Sequence, residues 1–255
     1  RSVCWMWSLN TLNDSYVIYG GTFDPPTAAH ARLVRDLSGR FARVIVVPCK
    51  VSPFKTITGA RAAERLEMLG MIADGVPHTD ICTFELEREG TDYTYLTLEH
   101  FRREYPDKKL YLCMGSEMVI ELERWRNTDV IARCATLYIV PRPHFPLTDD
   151  MIAKIKALGM PYEIADFNGE YGSSSEVRIS VAMGKPDMFL TERVAEYAAA
   201  HGLYRDYCYV NGLYERFGMK KSRIEHSFST ALCGVCLAKR ACVDTHKATT
   251  ALLLH

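Results

Sequence analysis

No apolar run in the chain is long enough to span a membrane, because charged side chains interrupt every hydrophobic segment. The first residues lack the apolar stretch of a secretory signal. Net charge is missing too: 31 basic and 31 acidic side chains cancel over 255 residues, so no global field draws the chain to nucleic acid or to a membrane. Any anionic ligand must then be held by a local site. Internal repeats and low-complexity segments are absent. The nine cysteines are odd in number and scattered, several of them in apolar runs such as 46–49 and 110–113. That usage suits buried thiols in a reducing compartment, so no disulfide is assigned and a cytoplasmic location is expected. Cys233 and Cys236 have CxxC spacing, but no second pair follows and no zinc site is assigned.

What is present is a globular composition, 48% hydrophobic, in a chain longer than a usual single domain. From Tyr16 onward, short apolar runs at 16–19, 43–47, 81–86, 109–113 and 135–140 read as strands. Helical spacing over 28–37, 60–73, 94–103 and 151–158 separates them. This alternation predicts an α/β, doubly wound Rossmann-like parallel sheet with helices on both faces. Two further helices, near 175–183 and 191–201, bring that domain to its end at about Tyr204, and residues 14–204 are taken as one unit. The remainder, 205–255, shows no strand signal and reads as helical. Residues 1–13 carry no motif, and Met6 is a candidate start.

The strongest local signal is the turn Gly20-Gly21-Thr22-Phe23-Asp24-Pro25-Pro26-Thr27-Ala28-Ala29-His30, directly after a strand and before a helix. Glycines let backbone N–H groups approach phosphate, and the positive end of the following helix favours anions. The turn lacks the Gly-Lys-Ser/Thr ending of a P-loop and the third glycine of a dinucleotide fingerprint. Thr27 and His30 stand three apart at the helix start, where both side chains can reach one phosphate. A plain strand-to-helix turn with a helix-facing histidine is the structural alternative.

This turn resembles the (T/H)xGH signature of the nucleotidyltransferase superfamily, and the stretch from Tyr16 to Tyr204 resembles the bacterial nicotinate mononucleotide adenylyltransferase family. The landmarks occur in order. Ser52-Pro53-Phe54-Lys55 is similar to the PPHK loop, 64–69 to the RLEML helix, and Glu85 to Arg88 with Asp92-Tyr93-Thr94 to the ExxR…SYT segment. Gly115-Ser116-Glu117 with Trp125 resembles GAD…W, Pro141-Arg142-Pro143 the RP turn, and 173–178 the SSTxIR motif.

The resemblance implies transfer of AMP from ATP to nicotinate mononucleotide, giving deamido-NAD and pyrophosphate, with Mg²⁺ accompanying ATP. Such a transfer needs no protein nucleophile, only positioning and charge neutralisation. His30, Lys55, Arg178 and Thr27 are the expected catalytic groups. Gly20, Gly21, Thr22, Phe23, Gly115, Glu117, Ser173 and Ser174 are expected to bind ATP. Thr94, Trp125 and Arg142 are expected at the mononucleotide, Trp125 stacking on the pyridine ring. Thr27, Ala29, Phe54 and Glu117 depart from the family pattern; the Ala29 methyl, standing where the family has glycine, is expected to tighten the site or shift it slightly. Three alternatives stay open: the nicotinamide mononucleotide as acceptor, phosphopantetheine as acceptor, or a nucleotide-binding sensor without turnover. The expected partners are ATP and nicotinate mononucleotide, without nucleic acid or membrane, and a homo-oligomer is left open.

In the tail, Lys220 to His226 and the closing Leu252-Leu253-Leu254-His255 resemble the opening of an HD-domain phosphohydrolase. In a longer parent protein His226 and His255 would then be the first ligands of a divalent metal pair. The paired aspartate is not in this sequence, so 205–255 is expected to be an incomplete HD-like domain, and a helical appendage with two ordinary histidines is the simpler reading.

Overall fold

The computed structural model describes residues 12–50, 59–170 and 172–255. Six parallel strands, β1 (Leu12–Gly21), β2 (Phe41–Pro48), β3 (Thr79–Ile81), β4 (Lys109–Gly115), β5 (Thr136–Val140) and β6 (Tyr162–Ile164), form one sheet in the order β3-β2-β1-β4-β5-β6. Helices α1 (Ala28–Ser38), α2 (Ala62–Ala73), α3 (Phe84–Glu87), α4 (Thr94–Glu104), α5 (Thr128–Cys134), α6 (Asp149–Ala157), α7 (Ser174–Ala182) and α8 (Glu192–Ala200) complete the α/β unit. A 3₁₀ helix, Ser116–Arg124, follows β4. Helices α9 (Tyr209–Arg216), α10 (Lys221–Arg240) and α11 (Thr245–Leu253) make the tail.

Period-two alternation along the strands builds two cores. Val17, Val44, Val46, Tyr111 and Val140 face one side, where α1, α2, α7 and α8 bury Val34, Leu69, Val177 and Val194 against them. Ile18, Ile45, Val47, Leu112 and Ile139 face the other, against Leu98, Phe101, Leu122 and Ile131. A third cluster joins Ile179 and Ala182 of α7 to Tyr207, Val210, Tyr214, Phe228, Val235 and Leu253 of the tail. The doubly wound expectation is met, and no helix among the described residues is long and apolar enough to cross a membrane.

Two local expectations need correction. The run 81–86 is not one strand: pairing ends where Cys82 N–H donates to Val46 O, and the chain then turns into α3. The cause is Glu85, which this turn carries inward to accept a hydrogen bond from Thr97, while Thr83 Oγ1 donates to Glu87 Oε1 at 2.5 Å. The edge strand β6 was not anticipated, because three residues at a sheet edge leave too short a pattern to read.

Glu85 has a titration consequence. Burial, reinforced by the neighbouring Asp92 carboxylate, pushes its carboxyl up to about 7 against the opposing effects of the Thr97 hydroxyl and Arg88. The folded value lies above the unfolded one, so this stabilising contribution is fully present below the ordinary glutamate value and is lost as pH rises through about 7. Glu85→Gln, which still accepts from Thr97, should gain melting temperature over the native chain as pH goes from 5 to 8. A difference that stays constant across that range would contradict the assignment.

Candidate active site

In a sheet of this order the connections leave β1 and β4 in opposite directions, opening a crevice at their carboxyl ends. The turn after β1 and Gly115 at the end of β4 both sit there. The turn is held from below by Arg65 of α2, a buried guanidinium whose Nη1 donates to Thr22 O (2.6 Å) and Cys49 O (2.8 Å). Cys49 N–H in turn donates to Gly21 O at 2.9 Å, tying the ends of β1 and β2 together. Gly20 is exposed and Thr22 and Phe23 are buried, with Phe23 in the left-handed region at φ 48°. Of the four turn residues expected at ATP, the exposed one is therefore Gly20.

His30 lies half-buried in the first turn of α1, its ring edge-on to Phe23 at 5.2 Å. Its Nδ1 accepts the Thr27 backbone N–H at 2.8 Å, which makes Nε2 the protonated nitrogen of the neutral ring. Thr27 caps the helix: His30 N–H donates to its Oγ1, and that hydroxyl is 2.9 Å from Nδ1. This corrects one expectation. Thr27 is fully buried, so it orients His30 and does not itself face a phosphate. Ala28 N–H is also used, donating to Phe189 O, so with His30 N–H it is spent inside the protein. Ala29 is buried as well.

Arg178 departs from expectation more strongly. Its Nη2 donates to Asp24 Oδ2 at 2.9 Å and its Nη1 to Asp206 at 2.8 Å, and the guanidinium lies over the Tyr204 ring. Asp24 also accepts from Gly59 N–H (2.6 Å) and Ala60 N–H (3.0 Å). A Cβ on Gly59 would stand 2.6 Å from both terminal nitrogens, so the guanidinium packs directly on that backbone. Two carboxylates already neutralise Arg178, and its visible work is to lock the glycine-rich turn to the start of α2 and to the tail. Lys55 and the rest of Ser52-Pro53-Phe54-Lys55 lie outside the described residues.

The opposite wall is built from β4, β5 and α7. Glu117 folds back over Gly115, where a Cβ would meet its Oε2 at 2.1 Å, so a larger residue there would push the carboxylate aside. Its Oε1 is 3.9 Å from Arg142 Nη1, and its Oε2 is buried with no hydrogen-bond partner. Arg142 is fixed by its own N–H donating to Ser116 Oγ at 2.9 Å, and its Nη2 reaches Gly172 O, just before Ser173. Ser173 caps α7; its N–H donates to Glu176 Oε2 at 2.7 Å, while Ser173 Oγ and Glu176 Oε1 are buried without partners. Ser174 is spent on Pro25 O. Buried acceptors left open in this way are what a bound nucleotide's hydroxyl and amino groups would satisfy.

Thr94 opens α4 and Trp125 ends the 3₁₀ helix; Arg126 lies 4.6 Å over the Tyr93 ring and so joins the two segments. Trp125 is half-buried, and its Nε1 has no hydrogen-bond partner. In the tail, the His226 and His255 rings stand 6.1 Å apart, yet the described residues contain no group of three His, Cys, Asp or Glu placed to hold a metal ion. Asp24 and Arg65 lie in motifs read from the sequence but carry no assigned role there, and Asp206 lies in none; all three build the site.

The cytidylyltransferase-like family model matches residues 18–179. A probable nicotinate-nucleotide adenylyltransferase of Listeria monocytogenes serotype 4a is 33% identical over 190 residues, covering 73% of this chain and 95% of that protein. One of Gemmatimonas aurantiaca is 29% identical, covering 74% and 92%. The fold is shared with the Plasmodium falciparum nicotinic acid mononucleotide adenylyltransferase complexed with NaAD, at a TM-score of 0.62 and 20% identity, over 75% of this chain and 97% of that one. The ordered motifs, the site at the β1/β4 crevice and these likenesses agree: the chain belongs to the cytidylyltransferase-like family and, within it, to the nicotinate-nucleotide adenylyltransferases.

Proposed function

We propose that the chain transfers AMP from ATP to nicotinate mononucleotide, a step that makes deamido-NAD. A phosphate oxygen of the mononucleotide attacks the α-phosphorus of ATP, the bond to the β-phosphate oxygen breaks, and pyrophosphate leaves. The observation that carries this reading is the His30 tautomer: with Nδ1 taken by Thr27 N–H, the ring offers Nε2–H to a phosphate oxygen as charge builds there. Arg142 and the open acceptors Glu117 and Glu176 form the other wall for the nucleotide. Mg²⁺ arriving with the ATP polyphosphate would neutralise charge on the leaving group, in keeping with how Mg²⁺ usually binds through phosphates and few carboxylates. The described cysteines are all free, which supports a cytoplasmic setting.

The preference for nicotinate rests on α4. No acidic residue stands in its first turn, so its N-terminus favours a negatively charged ring substituent over a neutral amide. We assign the stacking on the ring to Trp125, supported by its link to that turn through Arg126 and Tyr93. Trp125→Ala should therefore raise KM for the mononucleotide several-fold more than KM for ATP; equal effects on both would assign Trp125 to packing alone. The activity itself is tested by pyrophosphate release with nicotinate mononucleotide, nicotinamide mononucleotide and phosphopantetheine offered in parallel. ATP binding without release would favour the sensor reading.

A further inference from the structure

Helix α10 runs from the tail back onto the nucleotide wall. Leu232, Cys236 and Lys239 stand at i, i+4 and i+7, on one face of the helix. Leu232 packs against the core that α7 shares with the sheet. Arg240 donates to His144 O and lies 5.4 Å over the Phe145 ring, which pins the end of α10 to the turn after β5. Phe145 O in turn accepts from Ser116 Oγ, the group that fixes Arg142. Lys239 is half-buried, and the charged groups acting on it are Glu176, Glu117 and Arg142. Glu176 is only 3% exposed, and its Oε1 has no hydrogen-bond partner.

We infer that Lys239, carried in by the tail helix α10, is an ATP-binding residue of this site, supplying a cation at the wall formed by Glu117, Arg142 and Glu176. The inference rests on the adenylyltransferase reading and deepens it. An ammonium is a compact point charge with three donors, suited to an anionic nucleotide. Burial draws the Lys239 ammonium below its ordinary value, Glu176 and Glu117 oppose that shift, and Arg142 adds to it. A half-buried ammonium gains from an arriving polyanion. Binding and tail docking are then coupled in both directions: ATP steadies α10, and a docked α10 tightens ATP.

The test uses the full chain, with ATP binding by calorimetry and initial rates measured side by side. Lys239→Ala should weaken ATP binding and raise KM for ATP by about tenfold or more, the size of a lost charge-assisted contact. KM for the mononucleotide should stay nearly constant, and Lys239→Arg should recover part of the ATP affinity. Lys221→Ala, on the exposed first turn of α10, serves as the surface control. Amide exchange across α10 should slow on ATP addition in the native chain and much less in Lys239→Ala. Unchanged or tighter ATP binding by Lys239→Ala would overturn the inference, tighter binding marking Lys239 as a plug. An equal rise in both KM values, with loss of melting temperature, would overturn it in favour of a packing role. If the native chain binds ATP and the variant weakens it, yet no acceptor yields pyrophosphate, the inference stands and the proposed activity falls. No ATP binding by the native chain would overturn both.

Discussion

Replacing His30 with alanine should lower kcat by about a hundredfold or more while the fold persists, the usual loss for a donor that acts mainly in the transition state. The ring has two jobs, and the geometry separates them. Its Nδ1 accepts Thr27 N–H at the start of α1, so alanine also orphans a cap donor, a cost of about 1 kcal/mol. Its Nε2 carries the proton that the proposed reaction uses. His30→Asn keeps a near acceptor for Thr27 and lacks the far donor, so it should recover melting temperature without recovering turnover. Steady-state rates and thermal melts on the two variants check this, and near-native kcat in either one would remove His30 from the mechanism.

The other large effect should come from Asp24, and it should appear in stability. Asp24 is buried, pairs with Arg178, and accepts from the Gly59 and Ala60 N–H groups. Asp24→Ala would take one of two carboxylates from a largely buried guanidinium and orphan two backbone donors. Breaking a buried pair from one side costs up to about 3–5 kcal/mol, of which the remaining Asp206 contact offsets part. For a chain of this size the melting temperature should fall by roughly 10 °C. Asp206 still holds Arg178 from the other side, so Asp206→Ala should cost less than Asp24→Ala. A reversed order in thermal melts would show that the tail contact, and not the turn, anchors the guanidinium.

These residues also mark what could be read from the chain. The Thr27–His30 pair was legible because i, i+3 spacing at a helix start is local information. The strand and helix alternation was legible for the same reason, down to the limit met by the three-residue β6. Arg178 was found by its motif, yet its partners Asp24 and Asp206 lie far away in sequence, and no local pattern reveals a pairing across that distance. Arg65 carries a signal of its own. It occupies the apolar stripe of α2 with Met68, Leu69 and Ile72, and a cation on a buried face must find acceptors. Glu85 was part of a recognised motif, but a run of apolar and acidic residues gave no sign that the chain would turn there instead of extending.

Helix α7 belongs to two cores at once. Val177 packs into the sheet, while Ile179 and Ala182 pack into the tail cluster. One nine-residue helix therefore serves as a common wall, and neither side can open without uncovering apolar surface on the other. The tail and the α/β unit are therefore expected to melt in one transition, with substitutions along α7 felt in both halves of the chain through one short segment.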